Sequence, residues 1–212
     1  MNIVPLLKYC GNYSFEDVQI TANSRANYLG FIFAESKRSV TVHQVKQWLE
    51  QIQIPQKIVG VFVNASLEEI ESVSRQVRLD VIQCHGEETP DFILTLKAAI
   101  SQQIWKVVHH SENGLEKMKQ YEGLVDGYVI DSKVSGQRGG TGQTFDWSSI
   151  PSYQKEAFRQ QVPIFIAGGI NPQTVKELLL YQPVGIDLSS GIEENGRKSI
   201  EIKNQLEKRV FS

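Results

Sequence analysis

The chain has 212 residues, of which 41% are hydrophobic and 22% are charged, a balance that is typical of one globular domain and argues against disorder. Its net charge of −2 has no strong sign, which argues against nucleic acid or an anionic membrane as a partner. Two cysteines cannot staple a domain of this size, and no segment resembles a secretory leader or a membrane helix of ~20 apolar residues, so we expect a cytoplasmic protein.

Short apolar segments recur along the chain, and a segment of helical periodicity follows each of them. The segments are apolar on consecutive residues, as expected for parallel strands that are buried on both faces. The predicted strands, in chain order, are Leu6–Cys10, Tyr28–Phe33, Ile58–Val63, Val81–Cys84, Ile104–Val108, Gly127–Asp131, Ile164–Ala167 and Gly185–Leu188.

Recognisable helix starts separate these strands. Two capping-box spacings and two cap residues placed before a proline mark helix N-termini. The capping boxes are Thr41 with Gln44 and Ser66 with Glu69, and the caps before proline are Thr89 and Asn171. Eight strand–helix units without a linker predict an α/β fold, a compact single (β/α)₈ barrel (TIM barrel) over residues 1–212. An open doubly wound sheet is the alternative, and a strand count near eight in this length argues against it.

Two glycine turns stand where a barrel of this class places its active site, at the carboxyl ends of the strands. Gly168 and Gly169 follow the seventh predicted strand, and Ser190 and Gly191 follow the eighth. Backbone N–H groups in such turns bind anions without lysine or arginine, and these two loops are the usual phosphate position in these barrels. The pattern therefore predicts a phosphate site. The alternative is two tight turns in which a Cβ does not fit.

Three single side chains at strand ends have suitable chemistry for catalysis or binding. Cys10 could act as a thiolate base, although most free cysteines are small buried hydrophobes, which is how we interpret Cys84. Asp131 could act as a general acid if burial raises its pKa, or could be a helix cap or an ion-pair partner. Arg38 could clamp a carboxylate, or could be a solvated surface charge. The residues alone leave these alternatives open.

The segment 132–144 is long for so short a barrel and is rich in glycine. It is predicted to be a lid that closes over the substrate, with a surface insertion as the alternative. The predicted lid residues are Gly139, Gly140, Thr141 and Gly142. The four histidines form no HxH or HxxxH pattern, so no metal site is predicted, although His85 and His109 stand at strand ends.

Together, these segments resemble the phosphoribosylanthranilate isomerase family of tryptophan biosynthesis, and they occur in the family's order over almost the whole chain. The matching segments are K-Y-C-G at 8–11, G-F-I-F-A-E-S-K-R at 30–38, V-G-V-F-V-N at 59–64, Q-C-H-G-E-E at 83–88, V-I-D-S at 129–132, R-G-G-T-G-Q-T-F-D-W at 138–147, A-G-G-I at 167–170 and G-I-D-L-S-S-G-I-E at 185–193.

The resemblance implies the Amadori rearrangement of N-(5-phosphoribosyl)anthranilate, an aldose–ketose isomerisation that needs no cofactor. It also implies that Cys10 is the general base, that Asp131 is the general acid and that Arg38 binds the anthranilate carboxylate. His85 and Asp187 would line the pocket. The phosphoribosyl substrate is then the small-molecule partner, and both a monomer and a homodimer are compatible with the sequence.

Two other classes of function are weighed against this interpretation. Another phosphosugar barrel enzyme would be an epimerase, with metal-binding His/Asp pairs, or an indoleglycerol-phosphate synthase, with a catalytic lysine and paired glutamates, and neither set is evident. A non-catalytic phosphate-binding barrel would have no reason to keep Cys10 and Asp131. One departure from the family pattern, Asn12 in place of an apolar residue, puts the tuning of the Cys10 thiol in question.

Overall fold

The computed structural model describes residues 4–132 and 146–212. Eight parallel strands close into a barrel in chain order, and β8 pairs back onto β1. They are β1 (Leu6–Tyr9), β2 (Tyr28–Ile32), β3 (Lys57–Phe62), β4 (Val81–Cys84), β5 (Gln103–His109), β6 (Gly127–Asp131), β7 (Ile164–Ala167) and β8 (Gly185–Leu188). The predicted TIM barrel is confirmed. The predicted lid residues Gly139, Gly140, Thr141 and Gly142 lie outside the described residues.

In residues 4–132 and 146–212, eight α-helices surround the strands. They are α1 (Phe15–Ala22), α2 (Val42–Gln51), α3 (Leu67–Gln76), α4 (Pro90–Ala99), α5 (Gly114–Gln120), α6 (Ile150–Arg159), α7 (Val175–Leu179) and α8 (Ile200–Val210). Both predicted capping boxes form, and Thr89 caps α4. Within the described ranges, no helix is long and apolar enough to cross a membrane.

The start of α7 differs from the prediction. The Asn171 side chain accepts hydrogen bonds from the backbone N–H groups of Gln173 and Thr174, as a cap does, but the regular helix begins only at Val175. The Thr174 hydroxyl donates to the carbonyl oxygen of Gly169, a local bond that competes with the helical pattern. The preceding turn therefore stays irregular.

Aromatic rings fill one half of the barrel interior. Trp105 stacks on Phe165 with ring centroids 4.6 Å apart, and Tyr28 contacts both rings at 4.9 and 5.5 Å. Tyr28 and Phe165 lie near the amino ends of β2 and β7. These rings close the amino-terminal half of the barrel, which leaves the carboxyl ends of the strands for polar chemistry.

A small two-stranded hairpin, absent from the prediction, follows β8. Its strands are β9 (Glu193–Glu194) and β10 (Arg197–Lys198), and they pair antiparallel. Asn195 and Gly196 form the turn with φ of 51° and 80°. Asn-Gly is a strong signal for a two-residue hairpin turn because both positions require positive φ.

Candidate active site

The thiol of Cys10 lies just beyond β1 in the barrel interior, where Cys10 is 8% exposed. Gly30 on β2 makes room for it, because a Cβ at that position would lie 2.7 Å from Sγ. Burial raises the pKa of the Cys10 thiol, although the positive charges of Lys8 and Lys198 act in the opposite direction. Cys10 is therefore a thiol at neutral pH, next to two cations that stabilise its ionised form.

Lys8 and Asp187 form a buried ion pair beside that thiol. They are register partners between β1 and β8, and Lys8 Nζ lies 2.8 Å from Asp187 Oδ2. Burial lowers the pKa of Lys8, but the negative charges of Asp187 and Cys10 outweigh it, and the net direction is upward. The second oxygen, Asp187 Oδ1, is buried and has no hydrogen-bond partner among the residues that the structure describes.

Asp187 was predicted to line the pocket, whereas Lys8 was missed. Lys8 is 0% exposed, and it stands in a segment that sequence analysis treated only as an apolar strand. Its position two residues before Cys10 was the available signal, because residues i and i+2 of a strand share a face.

A second buried lysine, on the hairpin, holds the backbone of the site. Lys198 Nζ donates to the carbonyl oxygens of Cys10 (2.7 Å) and Ser189 (2.9 Å) and to Glu193 Oε1 (2.9 Å). Burial lowers the pKa of Lys198, against the opposing effect of the Glu193 charge. Lys198 thus ties together the ends of β1 and β8 and the start of the hairpin.

Arg38 is buried, so its interpretation as a solvated surface charge is wrong. Its Nε and Nη2 donate to the two carboxylate oxygens of Glu193 at 2.8 and 2.6 Å. Burial raises the pKa of Glu193, but its contacts with Arg38 and Lys198 outweigh that effect, and the net pKa is lowered. A Cβ on Gly11, whose φ is +70°, would lie 2.6 Å from Arg38 Cδ. The arginine stem therefore crosses the turn that follows Cys10.

Asp131 lies at the end of β6 near two histidines, His109 on the neighbouring β5 and His85, which follows β4. Its Oδ2 is 3.4 Å from His85 Nε2. One ligand-type atom from each of His85, His109 and Asp131 lies within 4.8 Å of the other two. Burial raises the pKa of Asp131, but the His85 contact, the His109 charge and the backbone N–H of Ser132 outweigh it, and the net pKa is lowered. The carboxyl is therefore ionised at neutral pH.

The turns after β7 and β8 meet each other. Gly168 and Gly169 have φ of 86° and 66°, and a Cβ on Gly191 would overlap the carbonyl oxygen of Ile170. These glycines are thus required by the backbone itself. The hydrogen bonds between described residues include none that is donated by the backbone N–H of Gly168, Gly169 or Ile170. Ser190 begins a 3₁₀ turn, Ser190–Ile192, on the other side.

Among the described residues, two surface cavities can be compared with the predicted site. One of about 310 Å³ is formed by the β7 and β8 turns together with α8, and Gly169, Ser190 and Gly191 line it. The other, of about 410 Å³, lies between α2 and α3, and none of the predicted site residues lines it. The smaller cavity is the one that adjoins the strand ends.

Two further sequence expectations can be compared with the structure. Asn12 is buried, and its amide donates to the carbonyl oxygens of Tyr9 and Gly30 while Thr21 donates to it. Its side chain is therefore engaged in holding the turn after β1. Cys84 is 0% exposed, and burial raises the pKa of its thiol to about 12, as expected of a core cysteine.

The fold and the acid, thiol and cationic side chains at its strand ends define a (β/α)₈-barrel enzyme. A sequence model described as N-(5'-phosphoribosyl)anthranilate (PRA) isomerase matches residues 7–208. The chain belongs to this family, the N-(5'-phosphoribosyl)anthranilate isomerases of tryptophan biosynthesis.

Relatives and solved structures agree with that assignment. The N-(5'-phosphoribosyl)anthranilate isomerase of Halalkalibacterium halodurans is 56% identical over 98% of this chain and 95% of its own length. The Bacillus subtilis enzyme is 47% identical over 97% of this chain and 95% of its own length. The crystal structure of the Thermotoga maritima isomerase has a TM-score of 0.84 and 28% identity over 98% of both chains. An isomerase in complex with reduced 1-(o-carboxyphenylamino)-1-deoxyribulose 5-phosphate has a TM-score of 0.81 and 27% identity over 98% of both chains.

Proposed function

We propose that this chain converts N-(5-phosphoribosyl)anthranilate into 1-(2-carboxyphenylamino)-1-deoxyribulose 5-phosphate, with Asp131 as the general acid and Cys10 as the general base. The observation that carries the proposal is that both groups stand at the carboxyl end of the barrel, Cys10 directly after β1 and Asp131 at the end of β6. Arg38 lies over the turn beside Cys10, and the glycine turns follow β7 and β8. Acid, base and two anion-binding elements thus share one end of the barrel.

The substrate phosphate is assigned to the turns that contain Gly168, Gly169, Ser190 and Gly191. The N–H groups of Gly168, Gly169 and Ile170 are available to an anion, because they donate to no other described residue. Consecutive N–H groups in turns with positive φ form a concave anion site. No lysine or arginine is needed for this binding, which agrees with the chain's weak net charge.

The anthranilate carboxylate is assigned to Arg38. A guanidinium has five N–H donors, and Glu193 engages Nε and one N–H of Nη2. One N–H of Nη1 and the second N–H of Nη2 then form the free edge that matches a carboxylate. Glu193 is thus a positioning residue that fixes the guanidinium plane before substrate binds.

The reaction requires two proton transfers and no oxidant. Asp131 protonates the ring oxygen as the C1–O bond breaks, and the amine lone pair forms the C1=N bond of an iminium. Cys10 thiolate removes the proton from C2, and the C–H electrons form C1=C2 while the nitrogen regains its lone pair. Transfer of the hydroxyl proton from O2 to C1 then gives the ketone. The iminium is the electron sink throughout.

The pKa shifts of Cys10 and Asp131 determine which of the two groups holds a proton in the free site. Cys10 is a thiol and Asp131 is a carboxylate in the free site, whereas the reaction starts from a thiolate and a carboxylic acid. Both forms carry one proton on the pair, so the active form is a tautomer of the resting one. One turnover moves a proton from Asp131 to Cys10 through the substrate and regenerates the resting form.

Lys8 and Lys198 shift the balance toward the active tautomer. Both are cations next to Cys10, and each lowers the pKa of its thiol against the effect of burial. Lys8 is itself anchored by Asp187 Oδ2, and Asp187 Oδ1 is left as an acceptor for a substrate hydroxyl. The charges that favour the thiolate are thus built into β1, β8 and the hairpin.

The activity itself is tested first. With a chelator present, the purified chain is mixed with phosphoribosylanthranilate generated in situ from anthranilate and phosphoribosyl pyrophosphate by a transferase. We expect rapid loss of the substrate's fluorescence, well above its spontaneous hydrolysis to fluorescent anthranilate. Loss no faster than hydrolysis, from folded protein, would contradict the proposed function.

Arg38→Ala is expected to weaken binding of the reduced product analogue by about 10–100-fold, because a hydrogen bond to a charged group contributes about 1.5–3 kcal/mol. The matched control is the same analogue without its ring carboxylate, which the variant should bind as the unaltered chain does. Glu193→Gln should give a smaller loss, confined to the carboxylated analogue. Calorimetric titration measures both ligands. Equal weakening for the two analogues would mean that Arg38 only supports the fold.

A further inference from the structure

The side chains at the ends of β4, β5 and β6 form a cluster whose chemistry extends beyond proton transfer. His109 and Asp131 are register partners on β5 and β6, and His85 directly follows β4. Inward-facing positions alternate along each strand, and Val107 and Val129, two residues before His109 and Asp131, line the barrel interior. His85, His109 and Asp131 therefore converge from three adjacent strands on one point.

We propose that His85, His109 and Asp131 bind a divalent transition cation of the zinc type, and that this cation blocks the isomerase when it is bound. Two imidazoles and one carboxylate, with a position left for water, are a ligand set that zinc uses in open sites. The binding stands on geometry alone. The block rests on the proposed function, since the cation would occupy the oxygen of Asp131 that serves as the acid.

The distances suit a tetrahedral ion. Zinc bonds of about 2.0–2.1 Å place neighbouring ligand atoms roughly 3.4 Å apart. His85 Nε2 and Asp131 Oδ2 already lie 3.4 Å apart, and all three ligand atoms lie within 4.8 Å of one another. A small rotation of the His109 side chain would bring its ligand nitrogen to the same distance from the ligand atoms of His85 and Asp131. The groups are part-exposed at the barrel mouth, so an ion can reach them from solvent.

An outer-shell partner supports the same site independently. Gln83 is 1% exposed, its Nε2 lies 3.3 Å from His85 Nδ1, and its Oε1 has no hydrogen-bond partner within residues 4–132 and 146–212. A zinc ion on Nε2 fixes the proton of His85 on Nδ1, and this N–H needs an acceptor. Turning the Gln83 amide by 180° supplies Oε1 at that distance, and such a turn exchanges only the amide O and N. Binding would thus fix the His85 tautomer that donates to this buried oxygen.

No HxH or HxxxH spacing marks this group, because its three side chains stand on different strand–helix units. The cluster is built from residues 24 and 22 positions apart on successive strand–helix units. Only the closure of the barrel brings them together.

The experiment titrates the purified full-length chain with Zn²⁺ against a fluorescent chelator, and with Mg²⁺ as the ion that this ligand set does not suit. We expect one Zn²⁺ per chain and no competition from Mg²⁺. His109→Asn should weaken Zn²⁺ binding at least ~100-fold, and Gln83→Met about 10-fold, as for loss of an outer-shell partner. The matched control is His110→Asn, the adjacent histidine outside the cluster, which should bind Zn²⁺ as the unaltered chain does.

The isomerase rate with and without Zn²⁺ then tests the block for each chain separately. We expect Zn²⁺ to inhibit the unaltered chain and His110→Asn at the concentration at which it binds, and to inhibit His109→Asn only at ~100-fold higher concentration. Binding of Zn²⁺ to His109→Asn with unchanged affinity would overturn the site, and bound Zn²⁺ with an unchanged rate would overturn the block. If His109→Asn fails to fold, His85→Asn is read the same way. A chain without isomerase activity would refute the proposed function, while the chelator titration would still decide the site.

Discussion

Asp131→Asn is expected to lower kcat by about 10²–10⁴-fold, the usual contribution of a positioned acid, and to make the remaining activity rise with pH. In the unaltered chain, kcat/KM should be flat between about pH 7 and 9. The active form needs an ionised Cys10 and a protonated Asp131, and these two fractions change in opposite directions by the same factor. Burial raises the pKa of the Cys10 thiol, and the contact with His85 lowers the pKa of Asp131 against the effect of burial, so neither limb of the profile falls in this range.

Removing the carboxyl leaves only the thiol to titrate. Since the pKa of Cys10 is raised, the thiol predominates at pH 7–9 and its ionised fraction grows about tenfold per pH unit. The residual rate of Asp131→Asn should therefore rise by up to about 100-fold over this range. The converse variant, Cys10→Ser, should lose a comparable factor, and its residual rate should fall with pH as the fraction of protonated Asp131 falls.

Steady-state rates across this pH range, with chelator present, check both slopes, and Cys84→Ser serves as the control thiol variant because that cysteine packs in the core. The slopes also decide between the two possible assignments. If Cys10 were the acid and Asp131 the base, Asp131→Asn would keep a protonated thiol throughout and show no rise. A flat residual profile would therefore reverse the roles.

Lys8→Met is expected to lower the free energy of unfolding and also to raise the pKa of the Cys10 thiol. It leaves Asp187 as a buried charge without its partner, which costs about 3–5 kcal/mol of the free energy of unfolding. Because the pKa of Lys8 is raised, the pair is intact at neutral pH and this loss should be seen in full there. Lys8→Met with Asp187→Asn removes both charges and should recover much of the stability.

The double variant should not recover catalysis, because the Lys8 charge beside Cys10 is still missing. Alkylation of Cys10 by iodoacetamide, followed by mass spectrometry across pH, reports the thiol pKa, which should rise in both variants. Lys203→Met is the matched control, since Lys203 is a buried lysine that donates to the carbonyl oxygen of Asn23 and lies outside the site. A double variant with the normal rate would show that Lys8 serves the fold alone.

The strands and their order could be predicted because burial on both faces makes each one a short apolar run. Knowing where the strands end was enough to select Cys10, Arg38, Asp131 and the glycine turns. The structure confirms the barrel, and the family model and the relatives confirm the family.

The interior polar contacts could not be predicted. Lys8 and Asp187 are 179 residues apart in the chain, and they meet only because β8 closes on β1 with one particular register. The partner of Arg38 was hidden for the same reason, since Glu193 stands on a hairpin that sequence analysis passed over. The Asn195-Gly196 turn was visible, but two-residue strands leave too little alternation to detect.

The hairpin also bears on how this enzyme could be redesigned. Glu193 and Lys198 pair across it, and their side chains are turned toward Arg38 and Cys10, whereas Glu194 and Arg197 are exposed. The hairpin is thus a short segment that places two charged side chains inside the barrel. Engineering for a different aromatic group can therefore vary Glu194, provided that the Asn195-Gly196 turn and the two inward charges are kept together.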